Sequence, residues 1–170
     1  MTFPEEGPEM PPNIREVSRD EALVIMRLVR AAFATVYERF GITRENWPRH
    51  ASNLEVDWIQ GMFDGGARYF MVRDAGEPAG CVALQARDEG EVHVRHLAVL
   101  PACRGKGLGG ALLAHVIDET RRLGARHITL GLIADDVELE AWYRRRGFEV
   151  TGKKPLDDAP FEITLMARDL

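Results

Sequence analysis

Arg104-Gly105-Lys106-Gly107-Leu108-Gly109-Gly110 is the stretch on which the reading of this 170-residue chain turns. Four of its seven residues are glycine, directly ahead of a helix candidate over Ala111–Leu123 in which Leu112, Leu113, Val116, Ile117 and Leu123 recur at helical spacing. Before it lies an apolar run, Val92–Val99, that reads as a strand and is closed by Leu100-Pro101. Glycines let backbone N–H groups come close to a ligand, and the first-turn N–H groups of a helix have no partner within the helix. The helix dipole adds partial positive charge at the same place. Arg104 and Lys106 add two full charges. The arrangement predicts an anion site, and the expected ligand carries phosphates.

Gly105-x-Gly107-x-x-Gly110 also fits the dinucleotide fingerprint, with Asp135 or Asp136 as the ribose-binding acid. Three features count against a dinucleotide-binding oxidoreductase module. Pro101–Arg104 separates the glycines from their strand, the motif does not open a βαβ repeat, and only 60 residues follow Gly110, too few for the rest of a doubly wound sheet.

Working outward, Asn13–Val17 predicts a first strand, and Ser18-x-x-Glu21 a capping box. Ala22, Ile25, Met26, Val29, Ala32, Phe33 and Val36 then share one helix face, and Gly41 interrupts that helix. A second helix is expected through Val56–Phe63, stopped by Gly65-Gly66. The period then changes to two. Strands Ala67–Arg73, Ala79–Arg87 and Glu91–Val99, joined by turns at Asp74–Pro78 and Asp88–Gly90, predict an antiparallel meander. The helix at Ala111, stopped by Gly124, crosses to a strand at Ile128–Ile133 that must lie parallel to its predecessor. Asp135-x-x-Glu138 predicts a capping box for a helix over Val137–Arg146, with three arginines at its negative end and Gly147 as its left-handed stop. Phe148–Lys153 and Phe161–Ala167 complete the strands, joined by an irregular loop at Pro155–Pro160.

Composition allows one domain with a proper core: 45% hydrophobic and 29% charged residues. Residues 1–12, acidic and proline-rich, read as a flexible tail, and residues 13–170 as the domain. No apolar run is long enough to span a membrane. Cys81 and Cys103 make no disulfide framework and fit free thiols in a reducing cytoplasm. The net charge of −5 argues against nucleic acid as a partner and is compatible with an amine substrate. The histidines lack metal-ligand spacing, so no metal is expected.

Two motifs together carry a resemblance. Leu97-Ala-Val-Leu-Pro101 with Arg104-x-x-Gly107-x-Gly109, followed by Ala141-Trp-Tyr-Arg-Arg-Arg-Gly-Phe148, resembles the GNAT superfamily of acetyl-CoA-dependent N-acetyltransferases. The resemblance spans Glu91–Gly152 in motif form and most of the chain in element order. It implies an α/β fold: a single GNAT-like domain with a mixed, mostly antiparallel sheet, a central splayed parallel strand pair and flanking helices. It implies acetyl-CoA as acyl-donor cosubstrate and direct transfer to an amine in a ternary complex. Arg104, Gly105, Lys106, Gly107, Leu108, Gly109 and Gly110 would hold the pyrophosphate. The backbones of Leu97, Ala98 and Val99 would hydrogen-bond the pantetheine arm, and one of their N–H groups would serve the developing oxyanion.

The same resemblance assigns Tyr143 as the acid for the departing thiolate, a role a phenol of ordinary pKa about 10 can fill. Asp136 stands where the family often has an Asn that contacts the cofactor, and as an acceptor it also suits a helix cap. Glu91, His93 and Arg95 alternate onto one strand face. His93 occupies the position of a general-base Glu in some family members, with Glu91 as the second candidate and a water relay as an alternative to either. The acceptor, a small-molecule or peptide amine, is expected against Gly41–Gly66, where Trp47, Arg49, His50 and Asn53 offer an aromatic face, a carboxylate clamp and hydrogen bonds. A non-catalytic acyl-CoA-binding domain on the same fold stays open, as does a homodimer.

Overall fold

The computed structural model describes residues 12–170, so the tail expected over residues 1–12 lies, Pro12 apart, outside the described residues. The elements follow in the order β1 (Ile14–Val17), α1 (Ala22–Arg39), α2 (Val56–Asp64), β2 (Arg68–Asp74), β3 (Glu77–Ala86), β4 (Glu91–Val99), α3 (Leu108–Arg122), β5 (His127–Ile133), α4 (Val137–Arg144), β6 (Glu149–Leu156) and β7 (Ala159–Asp169). They form one sheet of seven strands in the order β1-β2-β3-β4-β5-β7-β6. Every pairing is antiparallel except β4 with β5.

Alternation sends each strand's side chains to two cores. Val82, Leu84, Val92 and Val94 pack against Leu112, Leu113 and Val116 of α3, with Tyr143 and Phe148 in the same cluster. Tyr69, Met71, Cys81 and Ala83 face the other way, onto Ile25, Leu28 and Val29 of α1 and Ile59 of α2. Each fully buried aliphatic side chain contributes about 2 kcal/mol, so both helical layers are held mainly by these stripes. At the start of α1, Glu21 accepts from the Ser18 N–H at 3.0 Å, as the capping pattern predicts.

Three local expectations need correction. Helix α3 begins at Leu108, not Ala111, because Gly107 in a left-handed conformation (φ 77°) is its N-cap; Gly109 and Gly110 therefore lie inside the first turn. Asp136, not Asp135, caps α4, accepting from the Leu139 N–H at 3.2 Å. Pro155–Pro160 is not an irregular loop: β6 and β7 continue through it to a tight turn at Asp157-Asp158. Pro155 is tolerated because β6 is the edge of the sheet, and Pro160 because it lies on β7 beyond Ile163, where pairing with β5 ends.

Two irregularities of the central strands shape the site. The parallel pair holds only at Glu91–His127, Val92–Ile128 and His93–Thr129, after which β4 and β5 part. On its other side β4 carries a bulge, since Cys81 faces Ala98 while Ala83 faces Arg95. The bulge centres on His96, which takes φ 51°, a conformation costing about 1–3 kcal/mol for a non-glycine residue. Gly80 permits it: a Cβ there would lie 2.8 Å from the Ala98 carbonyl oxygen.

Candidate active site

A continuous cleft of about 1190 Å³ opens where β4 and β5 diverge, running from the start of α3 to the segment between α1 and α2. One end is the glycine loop. Among the described residues no backbone N–H from Gly105 to Gly110 has an acceptor; the first helical bond is Ala111 N–H to the Gly107 carbonyl at 3.0 Å. The unpaired donors converge on the N-terminus of α3, an arrangement suited to phosphate. No side chain crowds Gly105 or Gly107, both at positive φ.

The cations of the loop separate. Arg104 lines the cleft, but its guanidinium is tied to carbonyls, donating to Val99 at 3.1 Å and to Ala32 at 2.9 Å. It thereby pins α1 across the mouth of the splay. Lys106 does not line the cleft and pairs with Asp74 at 2.6 Å. Arg146 lines the cradle instead, stacked over the Trp142 ring at 3.7 Å and close to Gly110. Sequence reasoning placed Arg146 only as a favourable charge at a helix end; nothing in its spacing shows that it folds back on Trp142. Asp136 is buried at the cleft wall, where Arg39 of α1 donates to it at 3.2 Å.

The walls of the splay are Leu97, Ala98 and Val99 of β4 on one side and Leu130–Ile133 of β5 on the other. Beyond Thr129 no ladder bond joins β5 to β4, so the β4 peptide groups that would face it have no strand partner there. Tyr143 lines this part, with 6% of its surface exposed and its ring edge-on to Trp142 and Phe148. Burial raises its pKa, so the phenol keeps its proton at any physiological pH.

The deep end holds the polar residues of β4. His93 Nδ1 lies 2.8 Å from Thr129 Oγ1, and Thr129 donates to Glu91 Oε1 at 2.9 Å. Thr129 has one hydrogen, and the carboxylate takes it. His93 Nδ1 must therefore be the donor to Thr129, which leaves Nε2 as a free lone pair. Burial first, then Arg87 and Arg95, lowers the His93 pKa to about 4, so the ring is neutral at pH 7. Thr129 carried no motif, and the relay arises only because the three-residue parallel register sets Thr129 opposite His93.

His96 also lines the cleft and was not singled out by the alternation pattern, which the bulge breaks. Its Nδ1 sits 2.9 Å from the Tyr69 hydroxyl, and burial lowers its pKa to about 4.

Residues of the Gly41–Gly66 segment close the far side. Trp47 stacks on Phe161 of β7 at 5.3 Å and packs on His50 at 4.8 Å. Trp47, Arg49 and His50 line the cleft, with Arg49 mostly in solvent and 3.9 Å from Asp158. Asn53 does not line it; it is buried and donates to the Trp47 carbonyl at 3.1 Å, holding the segment together. Among the described residues no group of three metal-ligating side chains is found, and no helix is long and apolar enough to cross a membrane.

Comparison with known proteins agrees with this geometry. The model of the acetyltransferase (GNAT) family matches residues 29–148. An uncharacterized N-acetyltransferase of Methanocaldococcus jannaschii is 25% identical over 144 residues, covering 80% of this chain and 60% of that protein. The ribosomal-protein-S18-alanine N-acetyltransferase of Escherichia coli superposes with a TM-score of 0.74 at 20% identity, covering 93% of each chain. A putative acetyltransferase of Salmonella typhimurium, solved with its cofactor acetyl-CoA, gives 0.69 at 22% identity over 94% of each chain. The last two likenesses are of fold. With the family model spanning well over half of its length, the chain belongs to the acetyltransferase (GNAT) family.

Proposed function

We propose that the protein is an acetyl-CoA-dependent N-acetyltransferase that acts on an amine by direct transfer within this cleft. The observation that carries the reading is one continuous cleft joining three features: unpaired N–H groups at the start of α3, the parted β4 and β5 strands, and a neutral imidazole with a free Nε2. These residues fit the cosubstrate: orphan donors and Arg146 for the pyrophosphate, the β4 backbone of Leu97–Val99 for the pantetheine amides. Acetyl-CoA, when bound, supplies an acetyl group on a thioester, whose C–S bond breaks as the N–C amide bond forms.

The protein's residues divide the proton work. An acceptor arrives as an ammonium ion and must lose a proton before it can attack. His93 Nε2 takes that proton, with Thr129 and Glu91 holding the ring in the required tautomer. N–H groups at the β4 bulge stabilise charge developing on the acyl oxygen. Tyr143 gives its proton to the departing sulfur and is restored by the second amine proton, so one proton reaches solvent per turnover. Trp47 and His50 position the acceptor.

The test is thiol release from acetyl-CoA measured with and without an amine panel. Amine-dependent release that Tyr143→Phe slows about 10²-fold supports the reading. Tight acetyl-CoA binding with no amine-dependent release from any acceptor class would favour a non-catalytic acyl-CoA-binding domain.

A further inference from the structure

The cleft around His93 carries exposed cations, two of which have no ion-pair partner among the described residues. Arg95 follows His93 by two residues and shares its strand face, placing their Cα atoms about 7 Å apart. Its guanidinium makes no ion pair or hydrogen bond among the described residues, although it lines the cleft. Lys154 of β6 also lines the cleft, acts on His93 and is likewise unpaired among the described residues. Arg87 is the third cation, shared with Glu91 at 3.2 Å. Of the charged groups that act on His93, Arg87, Arg95 and Lys154 are cations and only Glu91 is an anion. The chain as a whole is negative, at −5, so this concentration of cations is local.

Arg95 is not part of the phosphate cradle. It precedes Val99 by four strand residues, about 13 Å further from the glycine loop. The cradle has its own cation in Arg146. Nor is Arg95 held as a structural clamp, as Arg104 is by two backbone carbonyls. A guanidinium in a cleft with no internal acceptor is suited to an incoming carboxylate or phosphate, which it can hold through two parallel N–H···O bonds.

We propose that the acceptor is an amine that carries an anionic group within about 7 Å of its nitrogen, the anion seated on Arg95 and the amine at His93 Nε2. This rests on the acetyltransferase reading above and narrows it to small amino acids, amino phosphates or a peptide end with a carboxylate close to its amine. The cations serve the chemistry as well. They disfavour the ammonium form of the bound nitrogen. A polycationic acceptor would meet repulsion here. The carboxylate clamp expected of Arg49 therefore passes to Arg95, since Arg49 already has a carboxylate, Asp158, at 3.9 Å.

The experiment uses matched amines with acetyl-CoA and the full chain, read by thiol release: β-alanine against propylamine, phenylalanine against phenethylamine, glutamate against its diamide, and phosphoethanolamine against ethanolamine. Each anionic member is expected to show kcat/KM at least about tenfold above its neutral counterpart. The carboxylate and phosphate arms identify which anion is preferred. Arg95→Gln is expected to erase that ratio while leaving the acetyl-CoA dissociation constant unchanged, and Arg95→Lys to restore part of it. Equal use of the neutral members, a ratio that survives Arg95→Gln, or no use of any anionic member by protein that binds acetyl-CoA would overturn the proposal. Failure to bind acetyl-CoA at all would instead overturn the acetyltransferase reading, and this proposal with it.

Discussion

Thr129→Val removes one hydroxyl and almost no volume, and it tests the proton relay directly. In the native site Thr129 gives its hydrogen to Glu91 at 2.9 Å, so its lone pair receives the His93 Nδ1 proton at 2.8 Å. Valine leaves that N–H facing an apolar group. A buried donor without a partner costs about 1–3 kcal/mol. The imidazole can escape most of this cost by moving its proton to Nε2, which removes the lone pair that accepts from the acceptor nitrogen. Each 1.4 kcal/mol of lost preference lowers the base-competent fraction about tenfold. The variant should therefore show kcat/KM for the acceptor reduced about 10-fold or more, with unchanged acetyl-CoA affinity. Its melting temperature should fall by about 2–8 °C, for a loss of about 1–2 kcal/mol in a domain of this size. Imidazole nitrogen shifts by NMR report the tautomer independently of turnover, and Thr129→Ser should restore both shifts and rate. A folded Thr129→Val protein with native kcat/KM and Nδ1 still protonated would refute the relay.

Gly107→Val puts a β-branched residue at φ 77° in the N-cap of α3, so acetyl-CoA binding should be lost, by calorimetry, while circular dichroism keeps the native fold. Tyr143→Phe removes the proton donor alone, so kcat should fall about 10²-fold with little change in cofactor affinity. His50, His93 and His96 have pKa values lowered to about 4 by burial, whereas the unfolded chain binds these protons near 6.5. The unfolded state thus takes up protons first as pH falls. Stability should be full above about pH 6.5 and should decline between pH 6.5 and 4, by on the order of 1–3 kcal/mol per histidine, measured by urea titration at several pH values.

What the sequence showed and what it hid follow from the range of each interaction. The meander and the crossover helix were legible because their signals are local: period-two runs, short turns and glycine stops. The unpaired donors ahead of α3 were legible because they belong to one continuous stretch. Asp135 and Asp136 both suit the cap of α4 in the sequence, and only the chain path selects Asp136. The Pro155–Pro160 loop was misread because proline forbids a central strand but not an edge strand, and edge position depends on sheet order. Thr129 and Arg146 were invisible for a stronger reason. Thr129 matters through a parallel register set 36 residues away in sequence, and Arg146 through a fold-back onto Trp142. The His96 bulge needs Gly80 on the neighbouring strand, a pairing that no periodicity encodes.

We propose that the unpaired donors at the start of α3 and the parted strands form one acetyl-CoA site. The measurement that meets it most directly is thermal unfolding with acetyl-CoA and, separately, with NADH. At a hundred times its dissociation constant a ligand adds about 2.7 kcal/mol, which corresponds to a rise of about 5–10 °C for a domain of this length. That rise is expected with acetyl-CoA, none with NADH, and its loss in Gly107→Val. An unchanged melt with acetyl-CoA, or an equal rise with NADH, would contradict it.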